Sequence, residues 1–191
     1  MNLPNILTMS RFVLTGGFLL FMQQGVAGAL WAMLFFMTAA LTDMLDGYFA
    51  RKWNLITTFG KLMDPVADKF MTLSALLILA NEGLAPLWMV IVIALREILV
   101  TISRLYRLKK GEVIPAEGMG KMKTIVQMAA IMVALLYRVL WSFPATSTGA
   151  SLMQSQWEWL IIAFVVFSLM LSLWSGVEYF IGLSKKGGAH E

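Results

Sequence analysis

Four aspartates are the residues whose type and spacing point most directly to chemistry. Asp43 and Asp46 stand three apart, and Asp64 and Asp68 stand four apart. On a helix those spacings put each pair on one face. An aspartate at the centre of a bilayer-spanning helix costs about 2.5–3.5 kcal/mol, and four that converge also repel one another. Proteins hold Mg²⁺ or Mn²⁺ with compact sets of carboxylates, and two divalent ions would match four aspartates in formal charge. Ions that share a substrate lie about 4 Å apart, so the two pairs must come within about 10 Å of each other. The residues between the pairs suit a phosphate ligand. Gly47 and Ala50 are small and let a ligand approach the backbone. Arg51 can fork onto phosphate oxygens, with Lys61 as a further cation. Gly60 lies one turn before Asp64, and Pro65 suits a first helical position with Asp64 as its cap. The plainer reading is that these acids and bases only anchor helix ends at a membrane interface.

The elements that carry these residues are apolar. Of 191 residues, 59% are hydrophobic and 14% charged, against about 45–50% and 25% in a soluble domain. Mean hydropathy is +0.76. Too few charges are present to cover a soluble surface, and disorder is excluded because disordered chains are poor in apolar residues. There is no cysteine, and the single histidine is His190. Disulfide frameworks and thiolate metal sites are therefore excluded, and any metal must take oxygen ligands. The net charge of +4 does not point to nucleic acid, because the 15 Lys and Arg fall in short clusters between apolar runs, the pattern of cytoplasmic loops.

Six apolar stretches cover 5–22, 26–46, 67–82, 84–105, 122–141 and 157–182. A spanning helix needs about 20 mostly apolar residues. The second, fourth, fifth and sixth stretches satisfy this; the first and third are marginal. Period-two alternation, the mark of a membrane barrel, is missing. The expected fold is all-α: one domain over 1–191, six transmembrane helices and both termini cytoplasmic. That topology places every basic cluster inside, with Arg138 near the opposite face beside Trp141, Trp157 and Trp159. Residues 1–11 are expected to begin as a short interfacial helix with Thr8 and Arg11 facing headgroups.

Residues 43–68 match DxxDGxxAR(x8)GxxxDxxxD in full, eight fixed positions over 26 residues. This stretch resembles the signature of the CDP-alcohol phosphatidyltransferase family. The resemblance implies that Asp43, Asp46 and Asp64 bind two divalent ions, Mg²⁺ or Mn²⁺, with Asp68 able to share one. It implies that Asp68 is the general base, and that Gly47, Ala50, Arg51 and Gly60 cradle the CDP moiety with Asp43 and Asp46. The opening from Asn2 to Arg11 also looks like members of the family that use glycerol 3-phosphate, which adds Asn5 and Thr8 to the CDP site. Arg96-Glu97, Arg104 and the run from Gly120 to Gln127 look like the same members.

Glycerol 3-phosphate is a dianion and needs cations beyond those on the pyrophosphate. Lys61, Arg104, Lys121 and Lys123 are candidates, with Thr124 and Gln127 continuing the last helix face. Arg96 and Glu97 lie inside the fourth stretch, and intramembrane charges are functional candidates; a role in shaping the site is the alternative. The activity implied is transfer of a phosphatidyl group from CDP-diacylglycerol to glycerol 3-phosphate, releasing CMP. The core motif leaves other acceptors open: inositol phosphate, serine, or phosphatidylglycerol to form cardiolipin. A cation transporter is a remote alternative, but it predicts acids near mid-membrane on several spans. Family resemblance further implies a homodimer, membrane lipids as partners, and a bacterial inner membrane with the site facing the cytoplasm.

Overall fold

A computed structural model describes residues 3–52, 58–109, 118–141 and 149–187. Six helices fill them: α1 Leu3–Phe21, α2 Gly25–Lys52, α3 Thr58–Asn81, α4 Leu87–Lys109, α5 Gly118–Trp141 and α6 Gly149–Gly187. The order is that of the six apolar stretches, but the helices are longer than the stretches. Polar ends extend a helix wherever backbone hydrogen bonds can continue, and hydropathy does not register them. Thus α3 begins nine residues before its apolar run and carries Asp64 and Asp68 within its body.

Two expectations about helix ends fail. Pro65 lies inside α3, so Asp64 does not cap that helix. A proline there withholds an N–H from the preceding turn, yet α3 continues through it because its length packs on neighbours. Nor is there a separate interfacial helix: α1 is one helix from Leu3 to Phe21. Its Thr8 and Arg11 are 1% and 0% exposed, turned inward rather than toward headgroups. The Thr8 hydroxyl and the two terminal nitrogens of Arg11 meet carboxylates of α2 and α3, which offsets much of the cost of their burial.

Packing follows chain order. The α1–α2 hairpin is tight because Gly17 and Gly28 leave no side chain at the crossing. A Cβ on Gly17 would lie 2.6 Å from the Phe35 ring, and one on Gly28 2.2 Å from the Phe21 carbonyl. Small residues at a helix crossing allow this approach. Helix α3 ends in a Schellman motif: Leu84 N–H reaches the Leu79 carbonyl at 2.9 Å and Gly83 N–H that of Ala80 at 3.1 Å. Gly83 has φ of 76°, the left-handed value the motif requires. The core lies between the helices, with Phe18, Phe36, Met71, Leu79, Ile93, Ile131, Leu135 and Ile161 all buried. At the end away from the aspartates, Arg138 pairs with Glu82 and donates to the Met22 carbonyl. One side chain of α5 thereby ties down the turns after α1 and α3.

Among the described residues, three segments are long and apolar enough to cross a membrane: Gly28–Tyr48, Met122–Trp141 and Met153–Gly182. The fourth stretch, expected among the clear spans, is not one of them. Helix α4 has the length, at 23 residues, but Arg96, Glu97 and Arg104 put three charges into its apolar run.

Candidate active site

Residues from α1, α2 and α3 meet at one end of the bundle. The antiparallel α1–α2 hairpin sets the N-terminal half of α1 beside the C-terminal end of α2, and α3 returns from there. Arg11 donates one guanidinium nitrogen to Asp43 and the other to Asp46, and the second also lies 3.7 Å from Asp64. One turn earlier, the Thr8 hydroxyl donates to Asp64 and lies 3.5 Å from Asp46. The two helix tips thus approach within the reach of one threonine. Three carboxylates share one cation, far inside the distance that shared divalent ions require.

A second group of charges continues from Asp68. Lys69 lies 2.7 Å from Asp68 and 3.0 Å from Glu97 of α4. Glu97 also accepts from Lys123 of α5 and has Arg96 at 3.6 Å. Arg96 in turn donates to Ser175 of α6 at 2.8 Å, across a crossing where Gly176 leaves room for it. Glu97 is 2% exposed and Lys123 4%. A buried acid between two lysines satisfies charges that would otherwise destabilise the interior by several kcal/mol.

The donor set suits a hard divalent cation, since it consists only of carboxylate oxygens converging from two helices. Among the described residues, no three acids stand as a finished metal cage. Arg11 stands among these acids, its planar fork bonded to Asp43 and Asp46 and near Asp64.

The chain matches the family model for CDP-alcohol phosphatidyltransferase over residues 1–174. It belongs to that family. It is 39% identical to CDP-diacylglycerol–glycerol-3-phosphate 3-phosphatidyltransferase of Bacillus subtilis (strain 168), with 94% of this chain and 93% of the relative covered. The enzyme of the same name from Mycoplasma genitalium is 37% identical over 75% of this chain and 60% of its own length. That from Rickettsia felis is 35% identical over 71% of this chain and 75% of its own.

Asp43, Asp46 and Asp64 come together on Arg11, while Asp68 faces Lys69. Gly47 continues the Asp46 end of α2, and Gly60 is buried one turn before Asp64. Asn5 is half-buried on α1, three residues before Thr8. The side chains of Ala50, Arg51, Lys61 and Lys121 lie outside the described residues. Of the expected acceptor residues, Lys123 joins Glu97, Thr124 is half-buried beside it, and Gln127 is buried with its amide nitrogen lacking a partner. Arg104 is separate: it stands 5.8 Å over the Tyr179 ring of α6. Sequence reasoning missed Arg11 and Lys69 as site members. Arg11 had carried a signal, a lone arginine three residues after Thr8 inside an apolar run.

Proposed function

We propose that this family member transfers the phosphatidyl group of CDP-diacylglycerol to glycerol 3-phosphate, forming phosphatidylglycerophosphate and CMP. The observation that carries the reading is the meeting of Asp43, Asp46 and Asp64 around Arg11 and Thr8. It occurs in a chain that aligns over nearly its full length with a relative of that name.

In this reading Asp43, Asp46 and Asp64 hold two Mg²⁺ or Mn²⁺ ions, with Asp68 able to share one. When bound, such ions neutralise pyrophosphate charge and stabilise departing CMP. The N-terminal end of α1 supplies polar contacts to CDP through Asn5 and Thr8. Small residues at Gly47, Ala50 and Gly60 give the nucleotide close backbone approach, and Arg51 offers its fork to phosphate. Asp68, oriented by Lys69, takes the proton from the primary hydroxyl of glycerol 3-phosphate. The freed oxygen bonds to the phosphorus that carries diacylglycerol, and the bond from that phosphorus to CMP breaks. Lys61, Lys121 and Lys123, with Thr124 and Gln127, receive the acceptor's phosphate.

The topology belongs to the same proposal: one domain of six spans, both termini in the cytoplasm, the aspartates at the inner leaflet of a bacterial membrane, and a homodimeric assembly. Internal pairing of Arg11, Lys69, Arg96, Glu97 and Lys123 supports including α1, α3 and α4 as spans, because charges paired with one another are tolerated at membrane depth.

Purified protein with CDP-diacylglycerol, Mg²⁺ or Mn²⁺, and a panel of acceptors tests the function. Glycerol 3-phosphate should release CMP at a rate well above inositol phosphate, serine or phosphatidylglycerol. Faster release with any of those three would reassign the acceptor.

A further inference from the structure

Arg11 is fully buried, and its guanidinium lies where the three metal-site carboxylates converge. Charge arithmetic makes this position informative. Without a counter-ion, three aspartates drawn this close would force the tips of α2 and α3 apart. A guanidinium bonded to two of them and near the third prevents that. It also fills the space toward which their oxygens point, and it repels any divalent ion approaching them.

We infer that Arg11 is an internal counter-ion that holds the aspartate cluster together before metal arrives and that metal must displace. The proposal rests on the metal reading given above and adds to it a competition between side chain and ion. Two features fit a group that can leave. The Arg11 Nε atom is buried without a hydrogen-bond partner, so the guanidinium is incompletely satisfied where it sits. Its two bonded partners also differ: the Asp43 side chain is 40% exposed and that of Asp46 only 6%. One bond of the fork can therefore give way to hydrated ions from the open side while the other still holds.

Thr8 contributes independently of charge. Its hydroxyl links Asp64 of α3 to the α1 face that presents Arg11, so the carboxylates remain gathered as the cation is exchanged. Removing Arg11 should thus leave a site that is more repulsive when empty and more receptive to metal.

The test uses purified full-length protein in detergent without either substrate. Mn²⁺ binding is followed by loss of the free-ion electron paramagnetic resonance signal, and thermal stability is read from tryptophan fluorescence in EDTA and in Mn²⁺. Arg11→Gln should bind Mn²⁺ at least about tenfold more tightly than wild type, because no buried ion pair has to be broken. Arg11→Lys, keeping the charge but losing the fork, should fall between them. In EDTA the Arg11→Gln protein should melt below wild type, and Mn²⁺ should raise its Tm by more. Mn²⁺ binding by Arg11→Gln equal to or weaker than wild type overturns the inference. Should Arg11→Gln fail to fold in EDTA, Arg11→Lys decides: tighter Mn²⁺ binding than wild type sustains the inference, and equal or weaker binding ends it. Wild-type protein that binds no Mn²⁺ at all would overturn the metal reading itself, a result distinct from equal binding by the two proteins.

Discussion

The aspartates divide into two environments. Asp46 is nearly buried and shares Arg11 with Asp43, whereas Asp68 pairs with Lys69. Their proposed duties separate accordingly, into holding metal and receiving a proton. Asp46→Asn should abolish CMP release at every Mg²⁺ or Mn²⁺ concentration, because a neutral amide lacks the negative charge that draws a divalent ion to the site. Asp68→Asn should retain CDP-diacylglycerol binding while transfer to glycerol 3-phosphate falls by about 10²–10⁴-fold, the usual contribution of a general base. Parallel measurements of lipid-nucleotide binding and CMP release distinguish the two variants. Wild-type turnover by Asp46→Asn would remove the metal assignment. The type and spacing of these acids are readable in the chain because i, i+3 and i, i+4 pairs are local. Lys69 neighbours its partner Asp68 in the chain, but Arg11 is 32 residues from Asp43 and Lys123 is 26 from Glu97, and no local periodicity encodes those distant pairings.

Among the helices, α4 joins Lys69, the partner of Asp68, to Lys123 of α5. Its Glu97 binds Lys69 of α3 and Lys123 of α5, while Arg96 reaches Ser175 of α6. The charges in the apolar run of α4 are those that fasten it to three neighbours. Glu97→Gln should therefore destabilise the bundle by about 3–5 kcal/mol, since two lysines lose a buried counter-charge. Adding Lys123→Met should restore part of that loss by removing one of the stranded cations. Unfolding in mixed detergent micelles measures both, and strictly additive losses would show that Glu97 and Lys123 do not act as a pair. Pro65 gives a similar lesson at helix scale. Its position suggested a helix start from local chemistry alone, but α3 runs from Thr58 because packing along its length outweighs one missing backbone bond.

Over the whole molecule, the up-and-down order of six helices sends every second connection to the same end. Thr8, Asp46, Asp64 and Lys123 lie toward one end, and Met22, Glu82 and Arg138 gather at the other. With the aspartates proposed to face the cytoplasm, the two ends should differ in accessibility. The natural chain lacks cysteine, so single cysteines can be introduced without background. In intact cells, Gln23→Cys at the α1–α2 turn should react with a membrane-impermeant maleimide, and Lys52→Cys should react only after permeabilisation. The reverse pattern would put the active site on the outer face.

Composition and local spacing were enough to set the class of the molecule and the chemistry of its acids. Composition fixes an apolar helical chain, and the eight motif positions from Asp43 to Asp68 lie close enough in the chain for helical spacing to set their faces. Tertiary structure decided which opposite charges meet. It turned Arg11 and Thr8 of α1 inward, lengthened α3 through Pro65, and made Glu97 the junction between Asp68's lysine and the expected acceptor lysine. Buried charges take whatever partner the packing of distant helices brings within reach, and their energies depend on that partner far more than on their neighbours in sequence.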